Sequence, residues 1–215
     1  DKIQNNPKQL LADAFPILMN RLGKLEPSDM VRVLATLQNS LTGKDILFYS
    51  RDPILSDNFA KLNWNGAVKQ ADRDYLALVS SNLGGTKTDL YQQDNIDLST
   101  TVSDVGVVTN SFVLQRSNSL PPGAGYINKS FVRVYVPLGS RLESAEGFDV
   151  VSVPSLPSGN YRNNNQVEVW QGSLQQSLVN GVWIGEESGK TFFGGWVITS
   201  GGQTKKVSVR YRLPS

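Results

Sequence analysis

The 215-residue chain is long enough for one large domain or two small ones, and it contains neither cysteine nor histidine. Their absence excludes disulfides, thiolate nucleophiles, cysteine-ligated zinc and the serine–histidine–acid triad. Paired carboxylates, a serine–lysine dyad and a carboxylate-bound hard cation stay possible. The formal charge of +2 is too small and too evenly spread for a nucleic-acid or anionic-membrane footprint.

Two helices are predicted in the first forty residues. Apolar side chains recur at three- and four-residue spacing over residues 10–22 and again over residues 30–41. We expect Pro16 to bend or interrupt the first helix, Gly23 to end it, and Gly43 to end the second. The pattern predicts a helical hairpin with an apolar stripe that requires a partner surface.

A strand–helix–strand unit is predicted next. Residues 45–50 are almost uninterrupted apolar residues, the pattern of a strand buried on both faces. Asp52 and Pro53 favour the start of a helix through about residue 62, and residues 74–80 form a second apolar run. We interpret residues 1–88 as a helical hairpin plus a partial α/β, βαβ-like segment, the tail of an α/β domain in a longer protein.

The buried pattern changes near Asp89 from a helical period to a period of two. In the last strand, Val207, Val209 and Tyr211 alternate with Lys206, Ser208, Arg210 and Arg212, which is typical of a half-buried strand. Seven or eight such runs, separated by Gly, Pro, Asn and Ser clusters, predict an antiparallel immunoglobulin-like β-sandwich over residues 89–215. The predicted fold class is therefore α+β.

Several segments in order resemble the C-terminal part of an uncharacterised bacterial surface-protein family, called domain of unknown function 4012. The matching segments are residues 43–49, 52–53, 62–66, 74–76, 82–89, 131–140 and 209–214. The resemblance covers about residues 40–140 and the last 25, whereas residues 141–185 fit less well. It implies an exported, membrane-anchored protein with an upstream α/β region, and it carries no established activity.

One candidate ligand site lies in the glycine-rich segment after the second apolar run. Asn82, Gly84, Gly85 and Lys87 follow a buried strand, where α/β proteins place ligands, and Lys87 is suited to an anion. The alternative is a domain-junction turn in which the two glycines supply positive φ. The spacing is not that of a complete phosphate-binding loop.

Arg133 is the remaining candidate ligand residue. It lies in the middle of an apolar strand, so an inward side chain would require a carboxylate partner, whereas an outward one faces water. Asp72 and Asp74 could share a hard cation, although such residues more often cap elements or pair with arginine. Lys206, Arg210 and Arg212 fall on one strand face, for which a solvated basic patch is the simpler interpretation.

Aromatic residues offer a third possibility, a platform on which sugars stack. A sandwich core commonly accounts for such rings instead. The aromatic residues considered for this role are Trp64, Trp170, Trp183, Trp196, Tyr126 and Tyr161.

These observations predict a non-enzymatic extracellular or cell-surface structural or binding module, with no catalytic residue, metal or cofactor of its own. The expected partner is an upstream domain of the same protein that carries the anchor, with envelope glycan or self-association as further possibilities and no nucleic acid. Three alternatives stay open. They are a glycan-binding sandwich, the non-catalytic part of an envelope-acting enzyme whose active site lies upstream, and a self-assembling surface component.

Overall fold

A computed structural model describes residues 9–71, 74–151, 164–171, 174–176 and 180–214. Contacts divide the chain into two compact units, Asp1–Lys69 and Gln70–Ser215. None of the helices in the described ranges is long and apolar enough to cross a membrane.

The first unit contains three helices, α1 (Gln9–Leu22), α2 (Pro27–Thr42) and α3 (Pro53–Lys61). Pro16 lies inside α1 without ending it, and Gly43 caps α2 as expected. The Asp52 carboxylate begins α3 because it accepts hydrogen bonds from the amides of Ile54 (2.8 Å) and Leu55 (3.0 Å). Most apolar side chains of α1 and α2 are exposed, whereas Leu41 is buried.

The strand predicted for residues 45–50 is wrong, because this described segment forms no strand. The Phe48 ring instead stacks on Phe59, with 5.1 Å between centroids, and lies 6.3 Å from the Trp64 ring. The Phe48 amide donates to the Trp64 carbonyl at 2.9 Å. Phe48, in the middle of the apolar run, therefore packs against α3, the helix that follows it. The predicted βαβ unit does not form.

The second unit is an antiparallel sandwich, so the predicted α+β class and the two antiparallel sheets are confirmed. Its elements in chain order are β1 (Ala77–Asn82), a 3₁₀ helix (Asp89–Tyr91), β2 (Gln92–Val102), β3 (Val108–Asn118), β4 (Ile127–Pro137), β5 (Arg141–Glu146), α4 (Asn165–Gln171), β6 (Gln175–Gln176), β7 (Trp183–Glu187), β8 (Lys190–Ser200) and β9 (Thr204–Arg212). One sheet has the order β1-β4-β8-β7-β6, and the other has the order β2-β3-β9-β5.

Strand β1 corresponds to the second strand of the expected βαβ unit, but its pairing is different. It lies antiparallel to β4, with Leu78 opposite Val134 and Asn82 opposite Ser130. Leu78 thereby packs against the buried core of the sandwich. The sandwich thus includes residues ahead of the change of period at residue 89.

Alternate side chains of the long strands point between the sheets and form two layers of different chemistry. The apolar middle comprises Phe112, Leu114, Val132, Val134, Val136, Phe193, Val197, Val207, Val209 and Tyr211. Further along the same strands, the polar end comprises the buried residues Arg116, Asn118, Asn128, Ser130 and Thr199. Strand alternation therefore buries both layers, although only the first is apolar.

Candidate functional site

The outer face of the four-stranded sheet carries a cavity of about 410 Å³, which we call the arginine cavity. Its walls come from the facing ends of β2 and β3 together with β5 and β9. Thr101, Thr109 and Arg212 lie side by side across three strands, because Thr101 pairs with Thr109 and Thr109 with Arg212. The lining residues are Thr101, Val102, Ser103, Val107, Thr109, Glu143, Arg210 and Arg212.

Glu143 holds two arginines at the floor of this cavity. Arg210 Nε donates to Glu143 Oε2 at 2.9 Å, and Arg212 Nη2 donates to Glu143 Oε1 at 3.0 Å. These two hydrogen bonds hold the pKa of the Glu143 carboxyl below its usual value. The carboxylate is therefore ionised at neutral pH, and two guanidinium groups beside one carboxylate leave an excess of positive charge.

A β-bulge positions Glu143 for this role. Leu142 pairs with Tyr211 and Ser144 pairs with Arg210, so Glu143 is the extra residue between two register partners. A bulge locally bends its strand and redirects a side chain. Here it places the carboxylate between Arg210 and Arg212, the two arginines that follow each other on the outer side of β9.

The rim of the cavity supplies hydroxyl groups. Thr101 Oγ1 donates to the Thr109 carbonyl at 3.3 Å, and Ser103 Oγ accepts from the Val107 amide at 3.0 Å. Each hydroxyl can both donate and accept, and each guanidinium has five N–H donors, of which Glu143 takes one. The arrangement is chemically suited to a ligand that carries hydroxyl groups and a negative charge.

Part of this site is predictable from the sequence. The strand alternation predicted that Lys206, Arg210 and Arg212 share one face, and the exposed positions of β9 confirm it. Glu143 was missed, because nothing in its sequence neighbourhood indicates a bulge or its partners on β9, which lie 67 and 69 residues further along the chain. The hydroxyl-bearing residues of β2 and β3 likewise become neighbours only through pairing.

The predicted glycine-rich site forms a tight turn at the polar end. Asn82 Nδ2 donates to the Thr86 carbonyl, and the Gly84 amide donates to the Lys129 carbonyl at 3.1 Å. A Cβ on Gly84 would lie 3.0 Å from Lys129 Cβ, and Gly85 has a φ of +69°. The turn therefore needs both glycines, one for close approach and one for backbone conformation.

Two polar groups of this turn have different surroundings. Lys87 is exposed. Asn82 Oδ1 is buried and has no hydrogen-bond partner within the described part of the chain. A ligand role for Asn82, Gly84, Gly85 and Lys87 stays a prediction.

Arg133 lies away from this turn, on the outer face of β4. Arg133 Nη1 donates to Glu187 Oε2 at 3.3 Å and to the Tyr135 hydroxyl at 3.1 Å. Its guanidinium also lies 5.7 Å from the centroids of the Phe131 and Phe192 rings. The side chain thus combines a carboxylate partner with partial exposure of 30%, and its proposed role in ligand binding stays a prediction.

Neighbouring groups on this face are tied to the same carboxylate. The Tyr135 hydroxyl donates to Glu187 Oε2 at 2.8 Å. Burial raises the pKa of Tyr135, so the hydroxyl keeps its proton and its hydrogen bond at neutral pH. Arg133, Tyr135 and Glu187 therefore form one connected polar group among aromatic rings.

The candidate sugar-stacking rings are divided among different places. Trp183 and Trp196 stand edge-on to Phe131, with centroids 6.4 Å and 5.5 Å from it. Trp64 packs in the helical unit, and Tyr126 is exposed in a loop. The Trp170 side chain and Tyr161 lie outside what the structure describes. Within the sandwich, Trp183 and Trp196 therefore pack edge-on against Phe131 and do not form a flat stacking surface.

The acidic residues weighed as a cation site have other partners or fall outside the described ranges. Asp74 Oδ2 accepts from Asn110 Nδ2 at 3.2 Å, and Asp74 Oδ1 accepts from the Tyr75 amide at 2.8 Å. Asp72 is not among the described residues. In the ranges that are described, no group of three or more acidic side chains is placed to hold a metal ion.

The chain matches no protein-family model, and comparison with curated proteins and with solved structures gave no significant match. The resemblance to domain of unknown function 4012 therefore stays a prediction.

Proposed function

We propose that the chain is a non-enzymatic binding module of the cell surface or extracellular space, and that its sandwich recognises an acidic carbohydrate in the arginine cavity. One observation carries the proposal. A bulge holds Glu143 between Arg210 and Arg212, beside a rim of hydroxyl groups, in a cavity of about 410 Å³. We further propose that the sandwich has immunoglobulin-like connectivity.

The chemistry of a sugar acid matches these groups one by one. Guanidinium groups recognise carboxylates through paired, charge-assisted N–H···O bonds. Sugar hydroxyl groups need both donors and acceptors, which Glu143 and the rim threonines supply. The methyl groups of Val102 and Val107 provide an apolar wall for the C–H face of a ring. A ligand with one negative charge would also neutralise the excess positive charge of the floor.

The surface location has independent support from the sequence. The surface is polar but weakly charged, with charged residues only 19% of the chain. The resemblance to domain of unknown function 4012 also supports an exported protein with an upstream partner domain. An acidic glycan of the envelope is a ligand that such a protein would meet.

Titration calorimetry with two oligosaccharides of equal length, one containing hexuronic acid and one neutral, tests the proposal. We expect binding of the acidic sugar alone, weakened about tenfold or more by Arg212→Ala or Arg210→Ala, since each removes a charged hydrogen bond. Lys206→Ala is the matched control, because it removes one positive charge from the same face of β9 outside the cavity lining.

Three results would contradict the proposal. They are equal affinity for both sugars, no binding of either sugar, and loss of binding in Lys206→Ala as large as in Arg212→Ala. Circular dichroism of each variant would establish that the sandwich is intact.

A further inference from the structure

Arg141, the first residue of β5, carries a charge that no carboxylate of the described residues neutralises. Its side chain is exposed. The other described arginines of the sandwich each pair with a carboxylate, and they are Arg116, Arg133, Arg210 and Arg212. The N–H donors of Arg141 are therefore available to a ligand.

Strand pairing places this charge next to the arginine cavity. Arg141 lies directly opposite Arg212 across β5 and β9, so both side chains leave the same face of the sheet. Like charges in directly opposite positions destabilise a sheet. Glu143 does not relieve the pair at Arg141, because Arg210 and Arg212 already donate to its two oxygens. Three guanidinium groups thus adjoin one carboxylate, and two positive charges stay unbalanced.

The same register forms a row of side chains across all four strands of this sheet. Thr101 pairs with Thr109, Thr109 with Arg212, and Arg212 with Arg141. Neighbouring strands lie about 4.8 Å apart, so the row has hydroxyl groups at one end and two guanidinium groups at the other. In the described part of the chain β5 is the last strand of its sheet, so a ligand can extend past Arg212 onto Arg141.

We propose that Arg141 is a second acid-binding position beside the arginine cavity, and that the ligand is an oligosaccharide with acidic groups on successive sugar units. This second position depends on the proposed binding of acidic carbohydrate in the cavity. Arg141 does not line the cavity and lies one strand beyond Arg212, so the carboxylate that it binds belongs to the next sugar unit. That carboxylate neutralises the second unbalanced charge through paired N–H···O bonds.

Titration calorimetry with two oligosaccharides of equal length measures the contribution of Arg141. One sugar carries a single hexuronic acid (the monoacid), and the other carries hexuronic acids on two successive units (the diacid). We expect the protein to bind the diacid about tenfold more tightly, because the second carboxylate adds charge-assisted hydrogen bonds. Arg141→Gln should remove most of this difference and should change the affinity for the monoacid less than about twofold.

Lys206→Gln is the matched control. It removes one positive charge from the same face of the sheet, at an exposed position opposite Gln115 rather than opposite another cation. We expect it to change the affinity for either sugar less than about twofold, because a charge outside the contact is screened by salt.

Thermal unfolding of the ligand-free protein gives a second readout. Because Arg141 and Arg212 repel each other, Arg141→Gln should raise the midpoint temperature by about 1–3 °C at low ionic strength. The gain should largely disappear in about 1 M salt, which screens the repulsion. A lower midpoint in Arg141→Gln at low ionic strength would mean that the protein itself satisfies this charge, and would overturn the second position.

The binding results distinguish the second position from the proposed function. If the wild-type chain binds both acidic sugars equally, or Arg141→Gln weakens both to the same extent, the second position is wrong and binding in the cavity stands. A loss of diacid affinity in Lys206→Gln as large as in Arg141→Gln would also overturn the second position. Binding of neither sugar would contradict the proposed function and the second position together.

Discussion

The interior of the sandwich contains two buried layers on the same strands, and they are held together in different ways. In the apolar middle, Phe112 and Leu114 pack with Val134, Phe193 and other side chains that need only matching volume. At the polar end, the next inward residues of β3 are Arg116 and Asn118, which need particular partners. The comparison shows that strand alternation decides which side chains are buried, while their chemistry decides how they are stabilised.

The polar end contains two hydrogen-bonded groups, the first of which spans the two sheets. Arg116 donates to both carboxylate oxygens of Asp94, at 2.7 and 2.6 Å, and to Ser80 Oγ at 3.0 Å. Arg116 is 2% exposed, and the Asp94 side chain retains 28% exposure. The bidentate pair therefore links β3 to the edge strand β2 within one sheet, and the Ser80 contact reaches β1 in the other.

A second hydrogen-bonded group connects the loop after β1 to β4. Asn128 Nδ2 donates to Thr88 Oγ1 at 3.1 Å and to Asp89 Oδ1 at 2.8 Å. Ser130 Oγ donates to Asn128 Oδ1 at 2.7 Å. Asn128 is fully buried, so each of these bonds replaces water that the amide would otherwise contact.

The largest effect is expected in the apolar middle. Phe112→Ala removes a fully buried ring and leaves a cavity, so we expect a loss of about 4 kcal/mol in the free energy of unfolding. Urea denaturation followed by fluorescence would measure it. Phe112→Leu is the control, for which about 1 kcal/mol is expected because most of the volume remains. A loss below 1 kcal/mol for Phe112→Ala would contradict the packing described.

The stability of the polar end should depend on hydrogen-bond and ion-pair partners more than on side-chain volume. Arg116→Met keeps much of the side-chain volume but leaves Asp94 unpaired. We expect a loss of about 3 kcal/mol in the free energy of unfolding. This is the low end for a broken buried ion pair, because the Asp94 side chain is partly exposed to water. The double change Asp94→Leu with Arg116→Met should recover at least half of it. A double variant less stable than Arg116→Met would show that the carboxylate has a role besides the pair.

A smaller loss of stability is expected when the Asn128 amide of the polar end is removed. Asn128→Ala removes the donor to Thr88 and Asp89 and leaves Ser130 without its acceptor, so we expect a loss of about 2 kcal/mol. Hydrogen exchange should increase most at residues 83–91, the loop that Asn128 holds. Asn95→Ala, at an exposed position of β2, should change stability by less than about 0.5 kcal/mol. Equal losses in Asn128→Ala and Asn95→Ala would contradict the stabilising role given to the Asn128 hydrogen bonds.

The smallest effect is expected for the Tyr211 hydroxyl, at the border of the apolar middle. The Tyr211 hydroxyl accepts from Asn110 Nδ2 at 3.2 Å, and burial raises the pKa of Tyr211 above 10.0. Tyr211→Phe should cost about 1 kcal/mol at neutral pH.

The raised pKa also gives a pH dependence with a definite sign. The unfolded chain loses the phenolic proton near pH 10 while the folded chain retains it, so stability falls as the pH rises through and above this value. Tyr211→Phe should make that fall shallower, as measured by urea denaturation between pH 7 and pH 11. A steeper fall of stability with pH in Tyr211→Phe would contradict the predicted direction of the pH dependence.

The helices and the alternating strands were predictable because they depend on local periodicity. Residues 10–22 and 30–41 are helical as predicted, and Val207, Val209 and Tyr211 of β9 are buried as predicted. The strand at residues 45–50 was predicted wrongly because an apolar run fits either a buried strand or a packed coil. Only the contact of Phe48 with Phe59 and Trp64 distinguishes the two.

The sequence by itself determined which side chains share a face, since a period of two or of three to four places them on one side of a strand or helix. The tertiary structure alone decided which buried and exposed groups meet. Antiparallel pairing assigned β1 to the sandwich, a bulge aimed Glu143 at Arg210 and Arg212, and the ends of four strands enclosed the arginine cavity. These contacts join residues distant in the chain, and register, which depends on the packing of the whole sheet, determines them.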